Sequence, residues 1–178
     1  MSYEIKYVNA TQSSLADSVD TEQTFSSPDP LAANDLSIGQ FYRVTAGGTI
    51  AQVDISPITL RLYFDSDISY VVAEGNFTTT PDGFKAWGLS VDIVARDSGG
   101  GYIVCNARGF GYSEGRSALA VEDRIVAYGG DIVGFPALYQ TVVPIAVDTA
   151  LTIRLTGQIG DFNGTTITLD EFLIEKFS

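Results

Sequence analysis

The sequence predicts an all-β, antiparallel sandwich. Three observations carry that prediction: successive short runs in which apolar and polar residues alternate at period two, clusters of Gly, Asn, Asp and Ser between the runs, and no sustained helical periodicity. Successive side chains of a strand point to opposite faces, so a sheet with one buried and one wet face leaves that alternation in the sequence. Strands at regular spacing, each closed by turn residues, argue for a sandwich or barrel over a parallel sheet.

The clearest run is Ile58 to Phe64, where Ile58, Leu60, Leu62 and Phe64 alternate with Thr59, Arg61 and Tyr63. Asp65-Ser66-Asp67 closes it as a turn. In Ala86 to Arg96, Trp87, Leu89, Val91, Ile93 and Ala95 share one face, and Ser98 to Gly101 makes a hairpin into Tyr102 to Tyr112. Gln40 to Gly47, Ile68 to Ala73, Ala137 to Val143, Leu151 to Gln158, Thr165 to Phe177, Tyr3 to Val8 and the stretch around Thr24 to Ser26 follow the same pattern. The total is about eight to ten strands. Alternation in the last run breaks at Asp170-Glu171, where a bulge restores the in/out phase, and a strand at the C-terminus is expected in the middle of a sheet.

Two segments depart from this pattern. Thr11 to Thr21 is rich in Ser, Thr and Asp and is expected to be a mobile connector, so that residues 1–21 form an N-terminal arm and 22–178 the folded domain. Ser113 to Pro136 is expected to be a long loop, with a turn or two of amphipathic helix in Ser117 to Val126 as the alternative.

Composition narrows function. At 178 residues the chain has the length of one domain, and 45% hydrophobic residues supply a core. Charged residues make up 18%, below the roughly 25% of typical soluble domains, so the surface is built from hydroxyls, amides and glycine. The net charge is −12 and the ten basic residues are scattered, which argues against nucleic acid and against anionic membrane surfaces. The N-terminus lacks the pattern of a secretory leader, and no apolar run is long enough to span a bilayer, so a soluble protein is expected. Cys105, the only cysteine, sits between Ile103 and Ala107 at strand spacing and reads as a buried, inert thiol.

The sequence contains no histidine. That removes Ser-His-Asp and Cys-His nucleophilic sites, His-ligated zinc and the commonest general acid–base. Carboxylate chemistry remains open at Asp65/Asp67, Glu122/Asp123 and Asp170/Glu171. A glycosidase needs two carboxyls held roughly 5 to 9.5 Å apart, and solvated turn acids account for these pairs without one. The oxygen-rich turns Asp65-Ser66-Asp67 and Gly160 to Gly164 lack the EF-hand spacing, so no metal or cofactor is expected. Sequons at Asn9, Asn76 and Asn163 are expected coincidences of a Thr-rich chain.

Aromatic residues on otherwise polar strand faces are costly to leave bare together. Phe41, Tyr63 and Tyr102, with Arg61 and Arg154 nearby in pattern, are the candidate subunit-interface residues, since Tyr and Arg are enriched in such contacts. A sugar-stacking platform is the alternative for the same rings.

From Thr24 onward the order of elements resembles small jelly-roll proteins of phage heads and tails. The resemblance lies in Thr24-Phe25, Ala33 to Leu36, Gly39 to Thr49, Ile58 to Phe64, Trp87, and Ile103 to Phe110, and extends over about Thr24 to Phe177. It implies a jelly-roll sandwich acting as a homotrimer in the virion and made in the host cytoplasm; the missing histidine, the lone cysteine and the dispersed acids point to a protein that is not an enzyme. Only some 20 residues precede the domain, which suits a decoration (cement) protein bound to the major capsid protein on the outer capsid surface. A head or tail fibre domain that recognises host-surface glycan is the alternative.

Overall fold

The described parts of the period-two runs fall on β-strands of the computed structural model, which describes residues 2–9, 11–16, 21–26, 28–51, 56–65, 69–79, 84–95, 102–113, 139–144, 150–160 and 164–178. The strands are β1 (Tyr3–Asn9), β2 (Ser13–Ala16), β3 (Gln23–Ser26), β4 (Phe41–Ala51), β5 (Ser56–Asp65), β6 (Ser69–Thr79), β7 (Phe84–Ala95), β8 (Tyr102–Ser113), β9 (Tyr139–Pro144), β10 (Thr152–Ile159), β11 (Thr166–Leu169) and β12 (Glu171–Phe177). No helix occurs among the described residues.

The strands form two antiparallel sheets. One has eight strands, ordered β1-β12-β4-β7-β8-β9, with β11 pairing both β4 and β2; the other is ordered β3-β10-β5-β6. The pairing is nested. The β5–β6 hairpin lies innermost, then β4 with β7, β3 with β10, β2 with β11, and β1 with β12. The chain changes sheet at β2–β3, β3–β4, β4–β5, β6–β7, β9–β10 and β10–β11. β8 and β9 extend the larger sheet beyond β7.

One core draws on both sheets. Tyr42, Val44, Ala46, Leu89, Val91, Ile93, Phe172 and Ile174 come from the larger sheet, and Ile58, Leu60, Leu62, Phe64, Ile153 and Leu155 from the smaller. These are the apolar halves of the alternating runs, and burying one such side chain contributes about 1.5–3 kcal/mol. The last run splits where its alternation fails: Ile167 and Leu169 are buried on β11, Phe172 and Ile174 on β12, and the one-residue offset falls at Asp170. As expected, β12 lies inside its sheet, between β1 and β4.

Among the described residues twelve strands form where about eight to ten were expected. The last run counts as two, and β2 lies within the stretch read as a connector. Ser13–Ala16 pairs with β11 and buries Leu15, a role its Ser-rich composition hides because the ladder is made by backbone groups. Residues 3–9, expected as an arm free to leave the body, pair with β12 along its length. Of the loop expected at Ser113 to Pro136, Ser113 ends β8, and the rest, with its helical alternative, lies outside the described residues; so do Ser66-Asp67, Glu122/Asp123, Ser98 to Gly101 and the centre of the Gly160–Gly164 turn. Cys105 stands in β8 opposite Ile93 of β7.

Candidate interaction surfaces

Three constellations outside the apolar core use the polar and aromatic residues of the strands. The first lies on the outer face of the smaller sheet. β5 turns Arg61 and Tyr63 away from the core, and β10 does the same with Arg154, opposite Tyr63 in register. The Arg154 guanidinium stands over the Tyr63 ring, 4.4 Å from its centroid. Glu22, just before β3, ties the group together: its carboxylate accepts from Arg61 Nη1 at 3.2 Å, from the Tyr63 hydroxyl at 3.1 Å, and from the Thr156 hydroxyl. Arg61 also donates to Gln158 Oε1 at 3.1 Å. Thr156 is thereby buried on the outer side of its strand. Burial and the Glu22 carboxylate push the Tyr63 phenol above its usual pKa, with Arg61 and Arg154 opposing.

The second lies on the outer face of the larger sheet. Tyr3, Phe177, Phe41 and Val94 occupy one row across β1, β12, β4 and β7. Phe41 and Phe177 stack with centroids 4.6 Å apart and planes 7° from parallel, and Tyr3 tilts against Phe177 at 5.7 Å. In the next outward row Arg43 grips Asp92 with two hydrogen bonds, Nε to Oδ1 at 2.8 Å and Nη2 to Oδ2 at 3.2 Å. Its guanidinium lies within 6 Å of both Phe rings. Asp92 raises the Arg43 pKa, with Glu175 adding to it.

The third is a charged cluster under the first and last strands. Lys6 of β1 donates to Asp35 Oδ1 at 2.9 Å and to Glu4 at 2.9 Å, Lys176 of β12 reaches Asp35 Oδ1 at 3.3 Å, and the Tyr42 hydroxyl donates to Asp35 Oδ2. Asn34, at φ 59°, turns the chain so that the next residue presents its carboxylate. Burial alone would raise the Asp35 pKa; the Tyr42 and Lys6 hydrogen bonds and the lysine charges outweigh it and hold it low. Burial would lower Lys6, and Asp35 and Glu4 reverse this and raise it. Burial pushes the Tyr42 phenol far up, and the Asp35 hydrogen bond and charge add to the effect.

Of the five interface candidates, Arg61, Tyr63 and Arg154 come together on one face. Phe41 points outward from the opposite sheet, and Tyr102 opens β8 of that sheet, its Cα opposite Pro144. Composition did not single out Glu22, Arg43, Phe177 or the outward face of β1. Glu22 stands just after the presumed connector with no pattern to mark it, and the Phe41–Phe177 stack depends on a register that no local pattern reveals. Asp170 and Glu171 are exposed, and Asp170 accepts from Gln12 Nε2 at 2.6 Å. Among the described residues no three His, Cys, Asp or Glu side chains are grouped to hold a metal ion.

Neither a protein-family model nor a curated protein matches the chain.

Proposed function

We propose that this chain is a non-catalytic jelly-roll module of a bacteriophage particle: a homotrimeric decoration protein bound to the major capsid protein on the outer surface of the head. The observation that carries this reading is the nested pairing, β1 with β12 inward to β5 with β6, rolled into two sheets. That order, with β8 and β9 added at one edge, supports a rolled antiparallel ribbon of the kind that viral capsid and lectin domains use. The sequence resemblance to phage jelly-roll proteins favours the virion. A chain without histidine, whose Asp35, Asp92 and Glu22 are each held by cationic partners, suits a role made of surface contacts.

A decoration protein stabilises a shell by binding only its assembled state, as any ligand stabilises the state it prefers. For the trimer contact the reading assigns the Arg61–Tyr63–Arg154 face, whose Tyr and Arg content matches interface anchors.

The experiment is titration of the purified protein onto capsids that lack it. Saturable binding at a fixed ratio to shell subunits, with shells more resistant to heat, is the expected result. Absence of shell binding together with binding to host envelope glycan would replace this reading with a receptor-binding fibre domain.

A further inference from the structure

We infer that the outer face of β1, β12 and β4 is the surface that docks on the shell, and that it selects a partner presenting apolar side chains among Lys and Arg. The inference rests on the decoration reading and assigns that contact to a face separate from the Arg61–Tyr63–Arg154 group.

Among the described residues four large apolar side chains are at least half exposed, and three lie together on β1: Tyr3 at 56%, Ile5 at 50% and Val8 at 54%. Strict alternation would turn Val8 to the other side from Tyr3 and Ile5. The register shift between Ile5 and Tyr7 brings it back to their face, opposite Leu173. The stripe then continues inward through Phe177 and Phe41. A contiguous apolar surface of this kind marks a contact site.

The charge around the stripe identifies the occupant. Lys6 and Lys176 are both turned beneath the sheet onto Asp35, so neither reaches the outer face. Arg43 is engaged by Asp92. Asp170 and Glu171 stand exposed near the stripe, with Glu175 half-buried beside Arg43, while Glu4 lies on the other face with Lys6. An apolar strip with an acidic border complements a basic border, whereas a second copy of a chain with net charge −12 brings like charge. Edge-to-edge pairing of β1 is also opposed, because a bulge and an inward-pointing lysine are the devices that blunt an exposed strand edge.

The test compares wild type with the double variant Tyr3→Ser/Val8→Ser and with Glu171→Lys, each checked for wild-type trimer mass and near-UV circular dichroism, in titrations onto undecorated capsids. Wild-type binding is expected to weaken as salt rises towards about 0.5 M, where charge attraction is screened. The double variant is expected to lose about tenfold or more in affinity. Glu171→Lys is expected to bind more weakly than wild type and with a shallower salt dependence. Unchanged affinity in both variants, with wild type binding, overturns this assignment and leaves the decoration reading standing. Failure of wild type to bind shells removes both. Loss of the trimer in the double variant would make the stripe a self-contact and overturns the assignment as well. If the double variant does not fold, Glu171→Lys and the salt dependence decide.

Discussion

Gly48 passes so close to Thr168 that a Cβ built on it would stand 1.9 Å from the Thr168 carbonyl oxygen and 2.7 Å from its carbonyl carbon. The same oxygen accepts the Trp87 indole N–H at 3.0 Å, and the Thr168 hydroxyl accepts the Thr49 amide at 2.9 Å. At this point β4 passes from pairing with β12 to pairing with β11, and glycine is required because backbone occupies the space of a side chain. Gly48→Ala must push two backbones apart and loosen the indole hydrogen bond. The expected loss is about 3 kcal/mol, which for a chain of this size lowers Tm by about 6–12 °C. Trp87, the only tryptophan, reports the transition by its fluorescence, and an unchanged Tm would contradict the close approach of Gly48 to Thr168.

Asp35 is expected to be the most sensitive charged position. Replacing it with Asn keeps the shape and removes the carboxylate shared by Lys6 and Lys176, leaving Lys6 with Glu4 alone, at a cost of about 1–3 kcal/mol near neutral pH. The pH dependence has a definite sign. The carboxyl is held below its ordinary pKa, so its contribution is present above the unfolded value of about 4 and is lost as pH falls through the lowered folded value. Lys6 and Tyr42 are raised, so theirs is present below the unfolded values of about 10 and is lost as pH rises through the folded ones. Urea denaturation at several pH values should show wild type weakening at both ends. Asp35→Asn should have a flatter acid limb, and an acid limb identical to wild type would show that Asp35 does not set it.

Much of the strand content follows from local pattern, as Ile58 to Phe64 and Trp87 to Ala95 show: Ile58, Leu60, Leu62, Phe64, Trp87, Leu89, Val91, Ile93 and Ala95, the alternating apolar members, are all buried. Even the break at Asp170 is visible as a change of phase. Pairing is different, because it is decided by residues far apart in the chain. Nothing near Phe41 announces Phe177, and nothing near Lys6 announces Asp35 or Lys176. β2 escaped notice because its strand identity rests on backbone ladder bonds and a single buried leucine. The outward position of Val8 depends on a one-residue bulge, which reverses the face read from alternation. The Arg61–Tyr63–Arg154 group was legible in part, since Arg61 and Tyr63 share a face of one strand. That Glu22 closes over them was not.

Packing around Gly157 offers a second steric test, on the other sheet. A Cβ there would lie 2.5 Å from Phe25 Cε2 and 2.8 Å from Leu15 Cδ1, both side-chain atoms. Side chains can shift where the backbone at Gly48 cannot, so Gly157→Ala is expected to cost about 1–2 kcal/mol, less than Gly48→Ala. Phe25 also contacts Trp87, with ring centroids 6.2 Å apart, so a displaced Phe25 should change the native tryptophan emission. Equal destabilisation by the two alanines would show that the covering side chains are as fixed as the backbone.

Tyr63 and Phe41 point outward from opposite sheets, so their truncations should separate two contacts. Tyr63→Ala removes the ring beneath Arg154 and the hydroxyl that donates to Glu22, leaving the buried row of β5 untouched. If this face forms the trimer, loss of a Tyr anchor of about 2 kcal/mol raises the trimer dissociation constant by about 30-fold, visible as monomer in sedimentation equilibrium at micromolar protein. Phe41→Ala, which removes half of the stack with Phe177, should leave the trimer mass unchanged and weaken shell binding. The reverse pattern, monomer from Phe41→Ala and intact trimer from Tyr63→Ala, would exchange the roles of the two faces, because each substitution removes exposed ring area from one sheet only.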